Sequence, residues 1–135
     1  MKYLTLIIAI VLSVGCSNLA NAHDPEKMAD LASQLKDISA AVDGTLKFSS
    51  QNYTNPQALL MAAINSSQRI LAPFEGYQLK VFIQDKNAVL LLCEDDVLLI
   101  EDAGCTAQSD IQHWQSTDQQ ACETTLDTNQ VCTVN

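Results

Sequence analysis

Apolar side chains recur along this chain at two different periods, and the change falls near Gly76. Met28, Leu31, Leu35, Ile38 and Val42 are three or four residues apart, which puts them on one stripe of a helix. Asp24-Pro25 opens that stretch with an acidic N-cap and a proline at the first helical position, and Gly44 follows it as a C-cap. The pattern predicts a helix over 25–43. Residues 44–54 form a polar connector, after which Asn55-Pro56 repeats the same start. Leu59, Leu60, Ala63, Ile64, Ile70 and Leu71 then share a face of a second helix, expected to stop before Pro73. Beyond Gly76 the residues alternate: Leu79, Val81 and Ile83 on one side, Lys80, Phe82 and Gln84 on the other. Residues 88–93 are continuously apolar, as in a central strand covered on both faces. With turns at 85–87 and 94–96 and a third strand over 97–100, the period predicts a three-stranded antiparallel meander. The expected fold is α+β: two N-terminal helices on that meander, followed by a polar C-terminal tail. In the tail, Cys122 to Cys132 reads as a last hairpin around Asp127-Thr128-Asn129.

A different pattern lies ahead of the first helix. Lys2 precedes an apolar run over 4–14, interrupted only by Thr5 and Ser13, and Ala20-Asn21-Ala22 comes after it. A basic start, a short apolar stretch and a small-x-small triplet are the parts of a secretory signal peptide. The run is shorter than the about 20 residues a membrane-spanning helix needs. Residues 1–22 are therefore expected to be removed, leaving 23–135 as one small domain, periplasmic or secreted, with no transmembrane segment. Leu12-Ser13-Val14-Gly15-Cys16 resembles a bacterial lipobox, which would instead put a lipid on Cys16 and anchor the protein to a membrane. Ser13 stands where that pattern has Leu, Val or Ile, so release after Ala22 is preferred.

Charge narrows the set of partners. Residues 23–135 hold all sixteen Asp/Glu and six of the seven Lys/Arg, a formal charge of −10, and nine acids follow Lys86, the last basic residue. Nucleic acid and anionic lipid surfaces both demand Lys/Arg clusters and are excluded as partners. A basic protein or a cation suits the surface.

Cysteine usage agrees with export. Apart from Cys16 there are four, Cys93, Cys105, Cys122 and Cys132, and an even number in a small exported chain implies two disulfides. Their gaps of eleven, sixteen and nine residues do not match the C-x-x-C pairs of a zinc site. Sequential pairing is unfavourable. Cys93 ends the central strand, and Cys105 lies past the far end of the next one, about 20 Å off at about 3.3 Å per residue. A bridge needs Cα atoms within about 7 Å. Cys93 and Cys105 are each expected to pair with one of Cys122 and Cys132, fastening the tail over the second face of the sheet.

Candidate chemistry is sparse. His23 would become the N-terminal residue on cleavage, offering an amine and an imidazole to Cu(II), with His113 the other histidine. Glu94, Asp95, Asp96, Glu101, Asp102 and Asp110 form the densest set of carboxylates, without the spacing of a calcium loop. Glu94 to Asp96 and Glu101-Asp102 read as solvated turns open to a partner, and Trp114 as a core plug or a contact residue. No G-x-S-x-G elbow, H-E-x-x-H or glycine-rich phosphate loop occurs. No catalytic residue, cofactor or metal site is expected. The leading expectation is a non-catalytic envelope protein that binds a basic protein. Small exported inhibitors of basic hydrolases such as lysozymes have a similar size, charge sign and disulfide content, an analogy carried by no motif. A metal-handling protein using His23 and the carboxylate turns is the alternative, and a small hydrolase the third.

Overall fold

A computed structural model describes residues 23–132, so the leader, the cleavage point after Ala22 and Cys16 lie outside the described residues. Helix α1 runs Pro25–Phe48. The Asp24 carboxylate accepts from the Glu26 N–H at 3.1 Å, and the Met28, Leu31, Leu35, Ile38 and Val42 stripe is buried throughout. The helix does not end at Gly44 as its sequence suggests; it continues to Phe48 and is capped by Ser49. Beyond the glycine, Leu46 packs against the core, Lys47 pairs with Asp43 at 2.8 Å and the Thr45 hydroxyl donates to the Ala41 carbonyl. Those contacts offset the about 1 kcal/mol a helical glycine costs.

The expected second helix is two pieces. Helix α2 is Pro56–Ala63, with the Asn55 side chain accepting from the Gln57 and Ala58 N–H groups at 2.9 and 3.1 Å. Asn65 and Ser66 then take left-handed φ values of 53° and 58°, which break the helix. The chain restarts as a 3-10 segment, Gln68–Phe74, that passes through Pro73. Phe74 is buried, whereas Ile70, assigned from sequence to the shared apolar face, is 43% exposed.

Four strands follow, not three: β1 Gln78–Gln84, β2 Asn87–Glu94, β3 Val97–Ala103 and β4 Asp110–Gln112, antiparallel in the order β1-β2-β3-β4. Asp95 and Asp96 both have positive φ, 51° and 61°, as a two-residue hairpin matched to the strand twist requires. Strand β3 runs three residues beyond Ile100, straight through the Glu101-Asp102 pair that the sequence marks as a turn. The hairpin expected at the C-terminus is instead a helical turn, α3, Thr128–Val131, capped by the Asp127 carboxylate on the Asn129 N–H at 3.0 Å. Among the described residues no helix is long and apolar enough to cross a membrane.

Strand β2 is buried on both sides, from Ala88 to Cys93. On one face Leu90, Leu92 and Ile100 meet α1, α2 and Phe74, joined by Leu79, Val81 and Ile83 from β1. On the other, Val89, Leu91 and Leu98 meet the tail through Leu126 and Val131 and both disulfides. The bridges are Cys93–Cys122 and Cys105–Cys132, with Cα separations of 5.9 and 5.5 Å. Both tie a strand-end cysteine to the tail, because β3 carries Cys105 out of reach of Cys93.

Candidate functional site

Two adjacent acids in β3 take opposite directions, because successive strand residues point to opposite faces. Glu101 faces the tail and is fully buried. Its Oε1 accepts from the Thr125 and Leu126 N–H groups at 2.6 and 2.8 Å and from the Thr124 hydroxyl at 2.8 Å. Its Oε2 accepts from the Thr125 hydroxyl at 2.6 Å and meets His113 Nε2 at 2.9 Å. Burial pushes this carboxyl up, but the donors of Thr125, Leu126, His113 and Thr124 outweigh burial and hold it below the usual range. The carboxylate is a clamp on residues 124–126.

Asp102 faces α1 and is equally buried. Its Oδ2 meets Lys36 Nζ at 3.3 Å, while its Oδ1 has no hydrogen-bond partner. Burial raises this carboxyl, and Lys36 only partly offsets that. Lys36 also reaches Asp110 Oδ1 at 3.2 Å and the Ala107 carbonyl at 2.9 Å, and the Ser39 hydroxyl donates to the Asp102 carbonyl at 3.1 Å. Burial raises Asp110, but hydrogen bonds from Gln112 and Lys36 bring it below its ordinary value. Burial lowers Lys36, but the two carboxylates outweigh burial and leave it above its ordinary value. Glu101 and Asp102 thus hold the two coverings of the sheet and are no surface for a partner, contrary to the sequence-based expectation.

Trp114 sits in a short 3-10 turn after β4, half-buried against the helix-side core, with its indole N–H donating to Gln112 Oε1 at 2.7 Å. His113 stands beside Glu101, and His23 Nδ1 lies 3.7 Å from Glu94 Oε2. The two histidines therefore answer to different carboxylates on different strands. Among the described residues no three His, Cys, Asp or Glu side chains gather as a metal would require.

Some of the acids that reach the surface converge at one end, whereas Asp85 and Asp127 lie toward the other. Asp24 and Glu26 open α1, Asp95 and Asp96 turn β2 into β3, and Glu123 adjoins Cys122; all are exposed, with Glu94 partly so. These segments are held together by the Cys93–Cys122 disulfide, the Cys122 N–H donating to the Asp96 carbonyl at 2.9 Å, the Val97–Ala121 bridge and the contact of His23 with Glu94. Lys27, on the first turn of α1, is held over the Tyr77 ring at 5.3 Å. The result is an acidic pole built from three separate stretches of chain.

Lys36, Ser39, Thr124, Thr125 and Gln84, whose side chain binds Thr128 N–H and Oγ1, were not singled out by sequence. The one available signal was that Glu101-Asp102 follows an apolar strand with no glycine, proline or asparagine between. Comparison with family models, curated proteins and solved structures finds no match for this chain.

Proposed function

We propose that this chain is an exported, non-catalytic binding protein whose acidic pole engages a basic protein. The supporting observation is the convergence of Asp24, Glu26, Glu94, Asp95, Asp96 and Glu123 on one end, where a disulfide and backbone hydrogen bonds tie the β2–β3 turn to the tail and His23 meets Glu94 from the start of α1. A rigid cluster of like charge accelerates encounter with a basic partner and gives binding that weakens as salt rises. Two disulfides are compatible with an oxidising, extracytoplasmic setting. Export itself is tested by N-terminal sequencing of the processed protein, which should read His-Asp-Pro-Glu. A blocked terminus carrying lipid on Cys16 would replace the soluble form with a lipoprotein.

Binding is tested by titrating the protein with a basic hydrolase such as a lysozyme at low and physiological ionic strength. Salt-sensitive association, weakened at least tenfold when Glu94, Asp95 and Asp96 are replaced together by Gln, Asn and Asn, is the expected result. Association indifferent to those three changes, or none at low salt, would overturn the assignment to the pole. Tight one-to-one Cu(II) binding lost on His113→Ala would favour the metal-handling alternative instead.

A further inference from the structure

Strand β1 is an edge of the sheet, and among the described residues no strand pairs with its outer side. Gln84 and Asn87 flank the two-residue turn Asp85-Lys86, so they form a hydrogen-bonded pair. Alternation then directs the backbone groups of residues 80, 82 and 84 toward β2 and those of 79, 81 and 83 outward. Among the described residues, no hydrogen bond outside the β1–β2 ladder reaches the β1 backbone. Side chains report the same opening: Leu79, Val81 and Ile83 are only half-buried, and Phe82 on the opposite face is 37% exposed. An open groove bordered by Asn55, Pro56 and Gln57 runs beside Leu79 to Phe82 and leaves the edge accessible.

The strand reads Gln78-Leu79-Lys80-Val81-Phe82-Ile83-Gln84, which is self-complementary about Val81. We infer that β1 is a dimerisation edge on which a second copy of this chain pairs its own β1 antiparallel, with Val81 opposite Val81. In that register Leu79 faces Ile83 and Gln78 faces Gln84. Lys80 faces Phe82, a cation over a ring, so the edge lysine, which commonly guards a strand against pairing, is matched. The register also agrees with the backbone. Residues 79, 81 and 83 are the outward-directed ones, so the three facing pairs they form exchange about six hydrogen bonds. A two-fold axis requires that one surface complement itself, and this strand does so in both backbone phase and side-chain chemistry.

Charge permits the pairing. The strand has no acid, and the acidic pole lies beyond its Gln78 end, since Gln78 pairs with Cys93 next to Glu94. Antiparallel pairing sends the two poles to opposite ends of one eight-stranded sheet. The dimer would therefore present two separate acidic surfaces.

The test uses the protein expressed as the full chain and purified in the form the cell leaves it. Sedimentation from micromolar to millimolar concentration should show molar mass doubling, and amide exchange should slow with concentration at residues 79, 81 and 83 while 80 and 82 stay protected throughout. Phe82→Lys sets Lys80 against a second lysine and should abolish the doubling. Phe82→Glu sets it against a carboxylate and should preserve it. A monomer at every concentration would overturn the inference. So would a dimer whose 79, 81 and 83 amides still exchange fast, or one indifferent to the sign of charge at position 82.

Discussion

Replacing Glu101 by Gln removes a charge and one acceptor while keeping the shape, which makes it a direct measure of the carboxylate clamp. The wild-type side chain has five contacts to donors or to an imidazole nitrogen, two of them from backbone N–H groups at Thr125 and Leu126. In the Glu101→Gln variant the remaining oxygen can keep the three donors of Oε1. The new amide faces the Thr125 hydroxyl, which must turn its proton away to accept, and His113 Nε2, which accepts only in the tautomer with its proton on Nδ1. Hydrogen bonds to a charged group contribute about 1.5–3 kcal/mol against about 0.5–1.5 for neutral ones, so losing the charge should cost about 2 kcal/mol. Glu101→Ala leaves both backbone N–H groups without their acceptor and should cost about 2–6 kcal/mol at about 1–3 kcal/mol for each orphaned group. Urea unfolding followed by Trp114, the single tryptophan, provides the assay. pH supplies an independent check. The folded Glu101 carboxyl lies below its ordinary value, so its contribution is full above the unfolded pKa of about 4.3 and is lost as pH falls through the lower folded value. The gap between wild type and Glu101→Gln should therefore close as pH drops below about 4. A Gln variant within about 0.5 kcal/mol of wild type at neutral pH, or a gap unchanged on acidification, would refute the clamp.

The neighbouring acid should behave oppositely. Asp102 is raised, so its contribution is present below its unfolded pKa of about 3.9 and lost as pH rises through the folded value. Asp102→Asn is expected to leave urea stability at neutral pH unchanged or raised by about 1 kcal/mol, and a loss larger than that would contradict it. Two glycines should separate in thermal melts. Gly104→Ala drives a Cβ into the Ser39 carbonyl and Asp43 and should cost about 3 kcal/mol, whereas Gly44→Ala, in open space within α1, should gain about 0.5–1 kcal/mol. Each disulfide closes a loop of 29 or 27 residues, so replacing either pair by serines should cost about 3.5 kcal/mol in the chain-entropy account, read from urea midpoints.

Much of this fold is written in local order. The α1 stripe, the Asp24-Pro25 and Asn55-Pro56 starts, the alternation in β1 and the apolar run of β2 depend on residues within a turn or a pleat of each other. Strand length also speaks against a Cys93–Cys105 bridge, since β3 must carry Cys105 away from Cys93, but which of Cys122 and Cys132 meets Cys93 only the structure decides. What misled was also local. Gly44 reads as a stop until Leu46 and the Asp43–Lys47 pair hold the helix together, and Asn65-Ser66 is inconspicuous until its left-handed turn divides the second helix. Glu101-Asp102 reads as a turn because isolated charges belong in water. Only the tertiary structure decides otherwise, bringing Lys36 to Asp102 across 66 positions and Thr125 to Glu101 across 24. Periodicity reports which face a side chain takes, but a buried carboxylate is tolerated only when distant donors arrive there, and no local spacing encodes their arrival. The acidic pole has the same origin, three stretches of chain made neighbours by a sheet, the His23–Glu94 contact and a disulfide.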